Sequence, residues 1–273
     1  MKLVEFFIKS LFQISLWGNK CDLSISVGVQ NSQLSDPIDA LKMLRPNILV
    51  NETDQLWQYF QLNNQENNDK SNDIAVVLDN AGFELFTDLC LIDFLQESEI
   101  LSVNSSVNFY VKEMPWFVSD VMKKDFNWTL EYLCEKVNSN SLSSLGCKWK
   151  NYFRIGKWKI IENQFWTLPH DYSEMENVDN DLYKQLQASK LVLFKGDLNY
   201  RKLAGDLNWD FQVPLSHALR GFLPTTICCL RTIKADVVCG IHDEGVLEKI
   251  KNNILPKDWM TTGEYGLIQV VKK

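Results

Sequence analysis

The hydrophobic residues of this chain fall into continuous apolar runs and into stretches with helical spacing. Residues 74–78 and 191–194 are unbroken apolar runs, which is typical of strands buried on both faces of a sheet. Between such runs, a wide apolar stripe predicts a helix over about residues 81–97. The alternation predicts an α/β fold with an open, mostly parallel sheet and helices on both faces, a Rossmann-like three-layer arrangement.

The same pattern places the remaining elements along the chain. We expect six strands, in the sequences PNILVNET, DIAVVLDN, SVNFYVK, KLVLFK, TICCLRTIKAD and YGLIQVV. We expect further helices from the N-terminus to about Gly18 and over residues 37–44, 126–136 and 177–189. Polar composition predicts loops over residues 61–72 and 137–146, and a polar turn after residue 195.

Domain organisation is predicted to be one main unit with a short addition. Residues 1–45 are expected to form a partial helical segment packed on the core, and residues 46–273 an α/β domain. The apolar N-terminal stretch is interrupted by Glu5 and Lys9, and no small-residue cleavage site follows it. This pattern indicates an amphipathic helix rather than a membrane span or a signal peptide.

Composition narrows the classes of partner. The 273 residues carry a net charge of −7, so a general electrostatic attraction to nucleic acid or to an anionic membrane is not expected. The seven cysteines are odd in number, include no C-x-x-C pair and fall partly in apolar runs. They predict reduced, mostly buried thiols in a cytoplasmic, possibly nuclear, protein. Nothing in the sequence designates a base for a catalytic thiol.

Charged and amide side chains follow the apolar strands. In open α/β sheets, ligands bind beyond the carboxyl ends of the strands, so parallel strands would bring these side chains to one edge. The residues concerned are Asp79 and Asn80 after the second strand, Lys112 and Asp120 after the third, Lys195, Asp197, Asn199 and Arg201 after the fourth, and Arg231 and Lys234 after the fifth.

The chemistry of these residues indicates a metal beside a phosphate. Asp79, Asn80 and Asp120 offer oxygen ligands suited to Mg²⁺ or Mn²⁺, whereas the three histidines lack zinc-ligand spacing. Four cations, Lys195, Arg201, Arg231 and Lys234, suit a phosphate group. Together they suggest metal-assisted phosphoryl chemistry. The alternative, which stays open at this point, is that these residues are helix caps, plain turns and solvated strand ends.

Several common catalytic motifs are absent from the sequence. It contains no G-x-x-x-x-G-K-[ST], no G-x-S-x-G and no H-E-x-x-H. It also has no G-x-G-x-x-G after a strand, which argues against an ordinary dinucleotide or adenosylmethionine loop.

Four long motifs carry a resemblance to a known family. VVLDNAGFELFTDLCLIDFL, PWFVSDV, KGDLNYRKLAGD and LRTIKADV occur in this order. The chain resembles, over nearly its whole length, the eukaryotic sugar-phosphate subfamily of the damage-control phosphatases. Members have also been described as protein-glutamate methyltransferases. The resemblance implies metal-dependent hydrolysis of fructose 1-phosphate or fructose 6-phosphate, with Mn²⁺ as the usual metal and Ni²⁺, Co²⁺ or Mg²⁺ as alternatives.

Carried over by position, the resemblance also implies roles for single residues. Asp79, Asn80 and Asp120 would hold the metal, and Asp79, Asp120 and Asp197 would be the catalytic carboxylates. Glu84 acting through water is the alternative to Asp197 for handling the proton. In the methyltransferase description, Glu84 and Asp120 would contact S-adenosylmethionine. The implied substrate contacts are Asp79, Asn80, Asp197, Leu198, Asn199, Tyr200, Arg201 and Lys234.

Three functions are therefore carried forward. The leading one is a phosphatase for small sugar phosphates, without nucleic-acid or membrane partners. The second is a methyltransferase, the only case in which a protein substrate is expected. The third is an inactive truncated product, because family members usually carry a long helical region before the segment SLWGNK, which here begins at residue 15.

Overall fold

The computed structural model describes residues 2–26, 43–63, 73–102 and 105–273, and it shows a layered α/β fold. The strands are β1 Ile48–Asn51, β2 Ile74–Val77, β3 Val107–Val111, β4 Trp158–Glu162, β5 Leu191–Lys195, β6 Thr226–Thr232 and β7 Gly266–Val271. The helices are α1 Lys2–Ser26, α2 Thr53–Asn63, α3 Phe83–Glu97, α4 Lys123–Glu135, α5 Asn140–Arg154, α6 Met175–Val178, α7 Asn180–Ala188, α8 Gly196–Leu203, α9 Leu215–Ala218 and α10 Glu244–Lys251.

The strands form one open sheet in the order β1-β7-β6-β5-β2-β3-β4. The five strands from β6 to β4 are parallel to their neighbours, whereas β7 runs antiparallel to β6 and parallel to β1. The predicted mostly parallel sheet is confirmed. Because β1 and β7 run against the other five strands, the polar end of β1 lies at the sheet edge opposite the ends of β2, β3, β5 and β6.

Helices cover both faces of the sheet, which explains why the central strands are apolar throughout. In β2, Ile74 and Val76 pack into one hydrophobic core, and Ala75 and Val77 into a second. The first core is completed by α1 to α5, and the second by α6 to α9 with the segments around them. A strand between two helical layers has no face for polar side chains, so its chemistry is confined to its ends.

Helix α1 is longer than the sequence predicts and belongs to the first core. The expected end near Gly18 is wrong, because the helix continues to Ser26. Gly18 is instead a packing position: a Cβ atom there would lie 2.8 Å from Glu84 Cα and 2.6 Å from Thr87 Oγ1. The missing side chain lets α1 approach α3 closely, so this glycine marks a helix crossing and not a helix end.

Other local predictions are corrected by the structure. The expected loop over residues 137–146 contains the start of α5, where Ser139 caps the helix by accepting a hydrogen bond from Leu142 N. The polar turn expected after Lys195 is helix α8. Strand β4 and helices α2, α9 and α10 were not predicted. Residues 61–63, which were expected in a loop, form the last turn of α2. The predicted helix over residues 37–44 lies mostly outside the described part of the chain.

The prediction that all cysteines are reduced is wrong for one pair. Cys134 and Cys147 form a disulfide with their Cα atoms 4.7 Å apart, joining α4 to α5. The two positions face each other because these helices pack closely around Gly146, where a Cβ atom would lie 2.6 Å from Cys134 N. Cys90, Cys228, Cys229 and Cys239 are free thiols. Burial raises the pKa of the Cys90 thiol to about 12, so it is not an activated nucleophile.

Within the described ranges, none of the helices combines the length and the apolar character that a membrane crossing requires. The division of the chain at residue 45 stays a prediction, although the side chains of α1 share one core with the sheet.

Candidate metal and phosphate site

The strand ends that the sequence singled out meet at one edge of the sheet. Strands β6, β5, β2 and β3 are parallel neighbours, so the residues that follow them lie side by side. Residues 79 and 80 follow β2, Lys112 follows β3, and Lys195 ends β5. The convergence on which the predicted site depends is therefore present in the fold.

Asp79, Asn80 and Asp120 are buried together beyond β2. Asn80 and Asp120 form an isolated antiparallel bridge, and Val121 N donates to Asp79 O at 2.9 Å. The Asn80 side chain is fixed on both sides. Its Nδ2 donates to Asp79 Oδ2 at 2.8 Å, and its Oδ1 accepts from Ser119 Oγ at 2.6 Å. The predicted metal ligands, which are up to 41 positions apart, thus form one cluster.

A buried lysine lies between the two aspartates of this cluster. Lys112 Nζ is 2.8 Å from Asp120 Oδ1 and 3.5 Å from Asp79 Oδ1. The other Asp120 oxygen, Oδ2, accepts hydrogen bonds from the backbone N–H groups of Trp116 and Phe117 at 2.7 and 2.8 Å. Asp120 is therefore held from three directions, and it connects the cluster to the exposed aromatic loop around residue 116.

Glycine at position 196 is required by the approach of β5 to Asp79. Gly196 has φ +85°, and a Cβ atom there would lie 1.8 Å from Asp79 Oδ2. Only glycine combines this backbone conformation with this contact. Helix α8 begins at the same residue, so the positive end of its dipole lies near the Asp79 carboxyl group.

A second set of buried charges lies beside the first. Lys195 Nζ is 2.9 Å from Asp88 Oδ1 and donates to Ser15 Oγ at 2.8 Å, and Asp88 Oδ1 accepts from Ser15 Oγ at 2.5 Å. Glu84 joins the two sets, because its Oε2 accepts from Asn80 Nδ2 at 2.8 Å while its Oε1 is 3.7 Å from Lys195 Nζ.

The charge balance of these groups fits a divalent cation. Among the described residues of the two sets, four carboxyl groups (Asp79, Glu84, Asp88, Asp120) face two ammonium groups (Lys112, Lys195), so the carboxyl groups outnumber their buried countercharges by two. Burial raises the pKa of Asp79 to about 7, and it also raises the pKa of Glu84 and of Asp88. Carboxylates in this condition are stabilised in their charged form by a bound cation.

The donor set has the chemistry of a hard-metal site. Carboxylate and amide oxygens from Asp79, Asn80 and Asp120 suit Mn²⁺ or Mg²⁺. No three His, Cys, Asp or Glu side chains in the described ranges form a metal site by themselves, so the candidate set depends on the Asn80 amide.

A small cavity opens in front of Asp79 and Asn80, whereas Asp120 lies behind them and is not part of the lining. Its volume of about 10 Å³ is enough for roughly one water molecule or ion. The lining residues come from α1, α3, α8 and β6 and from the segments that follow β2 and β6: Leu16, Asn19, Asp79, Asn80, Glu84, Gly196, Asp197, Leu230, Thr232 and Lys234. Lys234 lines the cavity and is exposed, and its side chain forms no close ion pair with the residues that the structure describes. Its charge nevertheless acts on Asp79 and Glu84, where it opposes the rise of their pKa values.

The other predicted cations are differently placed. Lys195 is buried in its ion pair, and Arg231 is buried with its guanidinium 4.2 Å from the centre of the Tyr200 ring. Arg231 donates to Asp197 Oδ1 at 2.8 Å and to Ala235 O at 2.9 Å. The interpretation of Lys195 and Arg231 as phosphate ligands is wrong, because both are held by protein groups. Arg201 forms a two-pronged pair with Asp206 and does not line the cavity.

Of the residues from Asp197 to Arg201, only Asp197 lines the cavity. The described residues donate to its Oδ1 only. Asn199 is buried and donates to Lys195 O at 2.7 Å and to Leu78 O at 3.3 Å. Tyr200 is buried, with its hydroxyl on Cys239 O at 3.3 Å. Leu198 is half-buried and is not part of the lining. The roles of these residues stay predictions.

Sequence reasoning missed the contribution of α1 and of Asp88. Leu16 and Asn19 line the cavity, and Ser15 with Asp88 holds Lys195. The signal for Asp88 was its place on α3 one turn after Glu84, which puts both carboxylates on one face of the helix. The signal for α1 was Gly18 within an otherwise apolar helical pattern.

Comparison with known proteins places the chain in a family. The sequence profile of the ARMT1-like domain of damage-control phosphatases matches residues 4–250. The chain belongs to the ARMT1-like damage-control phosphatase family. The resemblance predicted from the four motifs is confirmed.

Curated relatives of the ARMT1-like family are similar over nearly the whole chain. The chain is 46% identical over 267 residues to the damage-control phosphatase ARMT1 of Homo sapiens and 45% identical over 265 residues to that of Mus musculus, in each case over 97% of the chain. It is 45% identical over 271 residues to the Danio rerio protein. The matched part is 58% or 59% of these relatives, so the chain spans somewhat more than half of their length.

Proposed function

We propose that this chain hydrolyses phosphomonoesters of small sugars, such as fructose 1-phosphate and fructose 6-phosphate, with Mn²⁺ as its metal. The observation that carries the proposal is the juxtaposition, at one ion-sized cavity, of a buried cluster rich in carboxylates with the exposed ammonium of Lys234, which forms no close ion pair with the described residues. A divalent cation and a phosphate group are the ligands that this pair of features accommodates. Membership of a phosphatase family supports the same reaction class.

In this proposal Asp79, Asn80 and Asp120 hold the metal, and Ni²⁺, Co²⁺ and Mg²⁺ are the alternatives. When bound, the metal supplies Lewis-acid polarisation of a phosphoryl oxygen. The chain prepares the site in advance: Lys112 and two backbone N–H groups fix Asp120, while Asn80 and Lys112 hold Asp79. Fixed ligands need no reorganisation during the reaction.

Lys234 and Asp197, which line the same cavity, act on the substrate. The Lys234 ammonium neutralises charge on the phosphoryl oxygens in the transition state. Asp197 Oδ1 accepts hydrogen bonds from Arg231 Nε at 2.8 Å and from Lys234 N at 3.0 Å. Its Oδ2 accepts none from the described residues and lies beside the cavity, so it is placed to accept a proton from water or from a sugar hydroxyl.

Methyl transfer is not proposed as a second function, because no observation favours it. Glu84, the residue that would contact S-adenosylmethionine, lines the cavity, but its carboxylate is held by Asn80 and by Lys195.

The proposal is tested by phosphate release from fructose 1-phosphate, with and without Mn²⁺. We expect turnover that depends on Mn²⁺ and that falls at least about 100-fold in Asp79→Asn. Asp93→Asn is the matched control, because Asp93 is also a buried, ion-paired aspartate but lies outside the cavity, bound to Lys148. Full activity of Asp79→Asn, or equal losses in both variants, would refute the assignment.

A further inference from the structure

Helix α1 supplies the one polar, uncharged side chain of the cavity lining that has no hydrogen-bond partner among the described residues. Asn19 lines the cavity beside Asp197 and Lys234. It is half-buried, and its side chain makes no hydrogen bond to another described residue. The other amide of the lining, Asn80, is bonded on both sides. Asn19 therefore keeps its donor and its acceptor for a ligand.

The backbone around Asn19 is fixed by contacts to three other elements. Lys195 Nζ donates to Ser15 O at 2.7 Å, and Thr232 Oγ1 donates to Leu16 O at 2.9 Å. Gly18, directly before Asn19, is the position at which α1 packs against α3 near Glu84. A side chain on such a rigid segment is held in place before a ligand arrives, so a contact that it makes costs little ordering entropy.

The chemistry of the amide identifies the ligand group that it suits. A phosphate group only accepts hydrogen bonds, whereas a hydroxyl group both donates and accepts, as an amide does. The charged lining residues, Asp79, Glu84, Asp197 and Lys234, suit the metal and the phosphate.

We infer that Asn19 binds a hydroxyl group of the substrate next to the phosphate ester and thereby selects polyhydroxylated phosphomonoesters over plain alkyl phosphates. The inference rests on the proposed phosphatase function and deepens it. Asn19 is a specificity-determining residue in this scheme. It contributes to the binding of the sugar and does not contribute to the chemistry at phosphorus.

The test compares two substrates in two variants. For Asn19→Ala we expect kcat/KM for fructose 1-phosphate to fall about 10-fold, through KM, which is the size of one neutral hydrogen bond. For ethyl phosphate, which has no hydroxyl group, kcat/KM should stay within about twofold of the wild-type value. Alanine favours helix, so the fold should be retained, as a melting curve will show. Asn208→Ala, an exposed asparagine in a loop outside the cavity, is the control.

Failure of this inference is distinguishable from failure of the proposed function. Wild-type turnover tests the function, whereas the ratio between the two substrates tests Asn19. If the wild-type chain shows no turnover, calorimetric binding of fructose 1-phosphate and of inorganic phosphate replaces the kinetics. The inference is then supported if Asn19→Ala weakens only the sugar ester. Equal effects on both ligands, or no effect on either, would overturn it.

Discussion

The end of β2 and the ends of β5 and β6 are similar in sequence, and the structure uses them in opposite ways. Each strand is apolar and is followed by charged residues at the same edge of the sheet. After β2, Asp79 faces the cavity, whereas Lys195 and Arg231, inside the ends of β5 and β6, are engaged by protein groups. Of the charged residues at these two ends, only Asp197 and Lys234, which lie beyond them, line the same cavity. Position at a strand end therefore predicts where a side chain lies, but its availability depends on partners from distant parts of the chain.

The largest expected effect is on stability, and it distinguishes Lys195, which is buried in an ion pair, from Lys234, which is exposed. Lys195→Met should lower the free energy of unfolding by about 3–5 kcal/mol, because Asp88 and Glu84 lose a buried countercharge. Lys234→Met should lower it by less than about 1 kcal/mol, since that exposed ammonium forms no close ion pair with the described residues and acts on Asp79 and Glu84 only at longer range. Urea denaturation of both variants makes the measurement. Equal losses of stability would remove the distinction between the two regions.

Lys234 should matter for catalytic activity although it matters little for stability. We expect Lys234→Met to lower kcat/KM for fructose 1-phosphate by about 10²–10³-fold, the usual effect of removing one donor that stabilises a developing anion. Lys159→Met, at an exposed lysine on the edge strand β4, is the matched control. Steady-state phosphate release in the presence of Mn²⁺ is the measurement. A twofold change or less in Lys234→Met would show that this ammonium has no part in the reaction.

Lys202 on α8 offers a third kind of cation, held by carbonyl groups. Its Nζ donates to the backbone oxygens of Phe165, Trp166 and Leu168. Burial lowers the pKa of Lys202 to about 8. The folded state therefore disfavours the charged form of Lys202, which lowers the free energy of unfolding at every pH below about 8. This loss of stability disappears as the pH rises from about 8, the pKa in the folded chain, to 10.5, the ordinary pKa of lysine in the unfolded chain.

The smallest predicted effect is the rise in stability with pH that the lowered pKa of Lys202 produces. Between pH 7.5 and 10 the wild-type protein should gain about 1 kcal/mol of stability relative to Lys202→Met, a figure reduced because water reaches part of the side chain. Urea denaturation at the two pH values gives the difference. A constant difference, or a gain by the variant, would show that the carbonyl groups fully compensate the buried charge.

The sheet and the cluster around Asp79 could be predicted because both depend on local patterns. Continuous apolar runs identify doubly covered strands, and parallel strands bring their ends to one edge. The fate of Lys195 could not be predicted, because its partner Ser15 lies 180 residues earlier in the chain. The start of α5 was missed since Ser139 and its polar neighbours look like a loop, although serine is also a favoured helix cap.

The central claim is that the end of β2, and not the ends of β5 and β6, holds a divalent cation. Calorimetric titration of the chain with Mn²⁺ tests it most directly. We predict one equivalent bound by the wild-type chain, an affinity lower by about 100-fold or more in Asp79→Asn, and an affinity within a few-fold of wild type in Lys234→Met. Mn²⁺ binding of equal strength in Asp79→Asn and the wild-type chain would contradict the account.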